Sequence, residues 1–162
     1  MFRPLVSVII TAASMALLTG CAMQPGVPSE VDLQAAKDAN MPVVIYDLEV
    51  SAPTETGMVK PGIFFVNSSD ANIYLVHFLI KPVSSEGGKQ SPTLWQDAYK
   101  TVSPGKSNGG FWGSGWKNED IVCIQLEKAE IEMGNGQILK YDKNTLGQLF
   151  QDPSVNNCGA TE

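Results

Sequence analysis

The 162-residue sequence predicts a mainly β chain folded as an antiparallel two-sheet sandwich with a short C-terminal helix. Three observations predict it. From Pro42 onward the apolar residues recur with period two rather than 3.6, the spacing of strands. The periodic runs are short, and clusters of Gly, Pro, Asn, Asp and Ser separate them. A helical pattern closed by a stop signal follows only near the C-terminus. Two packed sheets are the simplest way to bury six or seven such strands. No internal repeat is present.

Residues 1–20 stand apart from this pattern. Arg3 supplies one positive charge, residues 5–18 form an apolar run, and small residues lead to Cys21. That order is the order of an export signal. The run is too short for a membrane span, which needs ~20 apolar residues. Leu18-Thr19-Gly20-Cys21 resembles the lipobox of bacterial lipoproteins. The resemblance implies cleavage before Cys21 and fatty acyl chains, palmitate among them, on its thiol and amine. Several chains hold a protein to a bilayer far better than one. Ala22, where inner-membrane retention would use Asp, implies the outer membrane, with the domain facing the periplasm.

The expected organisation is therefore a signal peptide over 1–20, a lipidated Cys with a tether or short helix over 21–41, and a β-sandwich domain over 42–162. Residues 24–28 read as tether. Ser29-Glu30-Val31-Asp32 has the residues to cap a short helix running to Asp38, and a flexible linker is the alternative.

With Cys21 lipidated, Cys123 and Cys158 remain, in an oxidising compartment that favours a disulfide. A two-Cys metal site is the alternative, but metal sites take more ligands and the single histidine, His77, is remote in sequence. No metal and no small-molecule cofactor is expected. Removing Arg3 leaves ten basic against seventeen acidic residues. That balance argues against nucleic acid and against an anionic membrane surface as partners.

The elements follow in order. Val44, Tyr46, Leu48 and Val50 alternate with Ile45, Asp47 and Glu49 as a first strand, and residues 51–57 are a loop. Residues 62–66 form a second strand, and residues 67–72 a turn rich in side chains that bond their own backbone. Residues 73–80, IYLVHFLI, are apolar on both faces except for His77, as in a central strand covered on both sides. Pro82 should end that strand, because proline cannot donate to a ladder. Residues 84–92 are a long loop, and residues 95–102 have room for a further strand. Residues 121–126 and 129–133 alternate with opposite parity, which predicts a bulge between them. Gly134-Asn135-Gly136 predicts a tight hairpin turn, with residues 138–141 returning. Thr145 with Gln148 resembles a capping box for a last short helix, which Asp152-Pro153 ends.

Two blocks also resemble small immunoglobulin-like sandwiches of bacterial envelope proteins. Asn67-Ser68-Ser69 followed by residues 73–82 is similar to their "N-x-S … I-x-x-V-x-F-x-V-x-P" hairpin. Trp116, residues 121–126 and residues 131–136 are similar to their later "C-x-x-L-x-x-I-x-I-x-Y-x-D-G" hairpin, with departures at Met133 and Asn135. The resemblance implies an immunoglobulin-like fold and, because such segments are mostly uncharacterised accessory domains, no activity.

Catalytic patterns are weak throughout. His77 lies in phase with Ile73, Leu75 and Leu79, where a histidine is a hydrogen-bonded core or edge residue. No G-x-S-x-G elbow offers it a nucleophile. Glu119 and Asp120 stand near Trp112 and Trp116, but adjacent side chains on an extended chain point apart. The acids of residues 127–132 read as a solvent face. No glycine loop has the Lys-Ser/Thr pair of a phosphate cradle. The stretch GGFWGSGW, residues 109–116, places three aromatics among four glycines. Phe111 and Trp116 are expected in the core, the glycines at a tight crossing between sheets. Packing between the sheets is the expectation for the stretch as a whole, and a sugar- or protein-binding edge built from Trp112 with Trp95 is the alternative. Trp95, Phe111, Trp112 and Trp116 are thus the candidate partner-binding residues, and no residue is a candidate catalyst.

The reading of function is a lipid-anchored, non-catalytic envelope protein that binds or scaffolds an envelope protein partner. The alternative is a periplasmic inhibitor or immunity lipoprotein, blocking a secreted or lytic enzyme with residues 84–92 or 109–116.

Overall fold

The computed structural model describes residues 26–158. The expected signal peptide, Cys21 and the start of the expected tether lie outside the described residues.

Ser29 opens a helix, α1 (Glu30–Asp38), by a reciprocal cap. Its hydroxyl accepts from the backbone N–H of Asp32, whose carboxylate accepts from the N–H of Ser29. Nine strands follow: β1 (Val43–Val50), β2 (Met58–Val59), β3 (Pro61–Asn67), β4 (Ile73–Ser84), β5 (Leu94–Ala98), β6 (Ser107–Phe111), β7 (Trp116–Lys117), β8 (Ile121–Met133) and β9 (Ile138–Tyr141). They form antiparallel sheets of order β1-β3-β6 and β5-β4-β8-β9, with β2 and β7 pairing as a short ribbon.

The two larger sheets pack face to face. Ile45, Ile63 and Phe65 of one meet Val76, Phe78, Ile80, Ile124, Leu126 and Ile131 of the other in one apolar cluster. Phe65 and Phe78 touch edge to face across it, ring centroids 6.0 Å apart. Burying side chains of this kind stabilises a fold by roughly 1.5–3 kcal/mol each. The sandwich and the mainly β class match the expectation.

Four local expectations need correcting. First, β1 does not alternate cleanly. Its register against β3 slips between Ile45 and Asp47, so Tyr46 is the extra residue of a bulge. Ile45 is fully buried, Leu48 and Val50 pack on the core, and Tyr46 turns outward with Asp47. Second, β4 is central but covered on one side only. Ile73, Val76, Phe78 and Ile80 are buried, whereas Leu75, His77 and Leu79 are half-exposed. An irregularity between Ile73 and Leu75 puts His77 out of phase with Ile73. Third, β4 runs through Pro82, which pairs with Ile124. Its other neighbour, β5, has already ended opposite Ile80, so the missing N–H falls where the strand is an edge. Fourth, the C-terminal helix is two 3-10 turns, Leu146–Leu149 and Pro153–Asn157. The side chain of Thr145 caps neither its own N2 nor N3 position. The reciprocal pair sits three residues earlier: Asp142 accepts from the N–H of Thr145, and the Thr145 hydroxyl accepts from the N–H of Asp142.

The remaining turns follow the sequence. Glu127 is the extra residue between Lys128, opposite Leu79, and Leu126, opposite Ile80. Gly136, at φ +81°, closes the hairpin onto the Met133 carbonyl. Asn67 is fully buried and holds its turn inward, donating to the carbonyls of Ala71 and Val102 while accepting from Ser69.

Cys123 and Cys158 form a disulfide, their Cα atoms 5.8 Å apart. Beside it, the Asn156 amide accepts from the N–H of Leu126 at 2.7 Å and donates to its carbonyl at 3.1 Å. β9 pairs with β8 only over residues 129–132, so the C-terminal segment shields the part of the β8 edge that β9 leaves bare.

Candidate functional site

The stretch over residues 109–116 divides between surface and core. Trp116 is 4% exposed, as expected, and its indole N–H donates to the Pro92 carbonyl at 2.7 Å. Phe111 does not take the core place expected of it, and Trp112 takes the packed place rather than the binding edge that was its alternative. Trp112 packs on the core and stacks on Phe78, centroids 6.2 Å apart. Phe111, 46% exposed, is not a core residue. The reason is the strand. Phe111 ends β6 opposite Gly62, and alternation turns its ring to the outer face while Trp112 turns in.

Two glycines of the stretch are steric requirements. A Cβ on Gly115 would overlap the Val59 carbonyl, where β7 crosses β2. A Cβ on Gly109 would stand 2.6 Å from the Ile63 carbonyl oxygen and 2.8 Å from the Phe64 ring. Gly110 and Gly113 face open space.

Glycine and ring alternate across β3 and β6. Gly62 pairs with Phe111, and Phe64 pairs with Gly109, so each ring lies over the opposite strand's glycine. Phe64 touches Phe111 edge to face, and Tyr46 adjoins Phe64, with both centroid separations 6.3 Å. The bulge in β1 puts Asp47 opposite Phe64 on this same face, and Glu49 opposite Gly62. Burial and then the nearby Asp47 carboxylate raise the pKa of Glu49 above the ordinary carboxylate range. Burial and Asp47 likewise raise the pKa of the Tyr46 phenol. The outer face of the three-stranded sheet is thus an aromatic row of three strands' width, edged by two acids and ending on β6, which among the described residues has no partner strand on its far side.

The outer face of the four-stranded sheet is different in kind. Register places Asp97, His77, Glu130 and Lys140 side by side, one per strand from β5 to β9. His77 Nδ1 lies 2.5 Å from Asp97 Oδ1, and the Tyr99 hydroxyl donates to Asp97 Oδ2 at 2.5 Å. Lys140 Nζ donates to Glu130 Oε1 at 3.0 Å. The hydrogen bond to Asp97 raises the pKa of the Tyr99 phenol. Trp95, 47% exposed, stands perpendicular to the His77 ring at 6.4 Å. His77, Trp95 and Glu130 line a shallow hollow.

Trp95 and Trp112 therefore do not share an edge. Trp95 is on the outer face of β5, Trp112 under the inner face of β4. Glu119 and Asp120 point apart: Glu119 reaches Gly57, and Asp120 accepts from the N–H of Lys89. Among the described residues no three His, Cys, Asp or Glu side chains group as metal ligands.

Sequence reasoning missed Tyr46, Phe64, Asp97, Tyr99 and Lys140 as surface partners. The aromatic row did leave a signal. Gly62-Ile63-Phe64 and Gly109-Gly110-Phe111 share a G-x-F spacing, which antiparallel pairing turns into reciprocal ring-over-glycine contacts. The ionic row left none, because its register spans the long loop after β4. Comparison with family models, with curated proteins and with solved structures finds no match to this chain.

Proposed function

We propose that the protein is a lipid-anchored, non-catalytic module of the bacterial envelope that binds or scaffolds an envelope protein. The lipobox-like Leu18-Thr19-Gly20-Cys21 supports the anchor, with the acyl chains on Cys21 in the outer membrane and the domain in the periplasm. The observation that carries the binding role is the exposed ring of Phe111, which completes the Tyr46–Phe64 row beside the unpaired edge of β6. Aromatic anchors on a flat face suit a protein surface, and an unpaired edge can accept a partner's strand. The test is photo-crosslinking in cells from a photoreactive residue at position 111, with one at exposed Val122 as control. A discrete envelope-protein adduct from position 111 alone is expected, and adducts equal to those of the control would sink the reading. For the anchor, Cys21→Ser should leave unprocessed, unacylated precursor by mass spectrometry.

One observation favours the inhibitor reading as a second possibility. The loop between β4 and β5 is strapped in place. Asp120 and Asn118 bond Lys89, Asn118 also bonds Ser91, and Trp116 holds Pro92. A preorganised loop is what a blocking element requires, since little ordering entropy is then lost on binding. An adduct from a photoreactive residue at exposed Glu86 of this loop with a secreted or lytic enzyme, together with loss of that enzyme's activity, would select this reading.

A further inference from the structure

The ionic row of the four-stranded sheet has no part in the function proposed above, since it lies on the opposite face of the sandwich. Its side chains are mutually held. Asp97 is engaged by His77 and Tyr99, one on each oxygen, and Glu130 is tethered by Lys140. Asp97 engages His77 through Nδ1, which leaves Nε2 without a protein hydrogen bond among the described residues and able to pair with a hydroxyl. Glu130 Oε2 makes no protein hydrogen bond among the described residues. The hollow therefore offers an imidazole nitrogen and a carboxylate oxygen beside the exposed indole of Trp95.

That combination selects its ligand. An anion would meet Glu130 and Asp97. A purely apolar molecule would cover these two polar atoms without pairing them, at the full desolvation cost. Lys140 already pairs with Glu130, and two donors already engage Asp97. What fits is a neutral molecule that carries hydroxyl donors along one edge and an apolar C–H face beside them. A pyranose ring has both. We infer that Trp95, His77 and Glu130 form a subsite for a neutral saccharide, whose C–H face packs on the indole while one hydroxyl bonds His77 Nε2 and its neighbour donates to Glu130 Oε2. Asp97 acts as a positioning residue by holding the imidazole ring through Nδ1.

The test follows the three indole N–H resonances of the full chain, labelled with nitrogen-15 in detergent micelles, during titration with chitotriose, cellotriose and maltotriose. For at least one of these probes the Trp95 resonance should shift saturably while those of Trp112 and Trp116 stay in place. Glu130→Gln and His77→Phe should each weaken binding about tenfold, a factor worth ~1.4 kcal/mol. Trp95→Ala should abolish the saturation-transfer signal of the sugar with little change in thermal stability, because the indole is half-exposed. High salt should leave the affinity unchanged, as it does for an uncharged ligand. The inference is overturned if no probe moves the Trp95 resonance, if Trp95→Ala still binds, or if salt abolishes binding, which would mark a charged ligand such as a basic peptide.

Discussion

The ring of Phe111 rests on Gly62, its cross-strand neighbour, so closely that a Cβ at position 62 would stand 2.8 Å from the ring's Cε1. Ring and glycine thus define each other's place. Gly62→Ala should push the Phe111 ring off β3 and reduce crosslinking from that surface. The ring lies at the exposed edge and can move, so the stability cost should stay near 1 kcal/mol, within the range typical of single substitutions. Chemical denaturation and the crosslinking assay read the two effects separately. An unchanged crosslink in Gly62→Ala would show that the ring's position does not matter.

Trp112 and Phe111 are neighbours with opposite burdens. Trp112 stacks on Phe78 inside the sandwich, so Trp112→Ala should destabilise by ~3 kcal/mol, the lower end for large aromatics because the ring is only partly buried. Phe111→Ala should cost well under ~1 kcal/mol, as surface changes usually do. Urea midpoints of the two variants decide it. Equal destabilisation would mean that the assignment of inner and outer faces is wrong.

The C-terminal segment is held at two neighbouring points, the Cys123–Cys158 disulfide and the Asn156 clip on Leu126. The two cysteines are 35 residues apart, and closing a loop of that length removes unfolded-state entropy worth ~3–4 kcal/mol in the chain-entropy model. The double variant Cys123→Ser, Cys158→Ser should lose stability of that order. Asn156→Ala should lose ~1–3 kcal/mol, since it strips both partners from Leu126. Amide exchange at Leu126 should accelerate in both. If alkylation without reductant labels both cysteines in the purified protein, the staple is absent.

Glu49 gives the stability a pH dependence of definite sign. Burial first, then Asp47, raises its folded pKa above the unfolded one. Between the two values the folded state binds more protons, so stability falls as pH rises through that window. Asp32, Asp142 and Asp152 act oppositely. Hydrogen bonds from Ser29, from Asn144 and from Ser154 respectively lower their folded pKa values. Their contribution is present above the unfolded carboxylate pKa and is lost as pH falls through the folded one. Glu49→Gln should remove the loss on the alkaline side and leave the acid-side loss intact. Melting temperatures across the acid-to-neutral range measure both slopes, and an unchanged alkaline-side slope in Glu49→Gln would assign it to another group.

Local pattern made much of the fold legible. The parity change around Glu127 announced a bulge because an extra residue leaves its mark in the order of apolar positions. Asn67-Ser68-Ser69 announced a turn because those side chains bond nearby backbone, as Asn67 and Ser69 do. The bulge at Tyr46 left no such mark. Val44, Tyr46, Leu48 and Val50 alternate without a break, and only packing against β3 and β8 selects Ile45, Leu48 and Val50 for the core. Pro82 misled for a related reason, since whether a proline ends a strand depends on which edge has a neighbour.

By itself the sequence determined the mainly β class and the positions of most strands and turns, because each depends on residues close in the chain; it made Cys123–Cys158 the expected pair, and the structure brings the two together. Only the tertiary structure decided which side chains share a face. The cross-strand row from Asp97 to Lys140 and the placing of Gly62 under Phe111 both depend on register between strands far apart in sequence. A shift of one residue turns every side chain of a strand to the other face, and long-range packing chooses among such shifts.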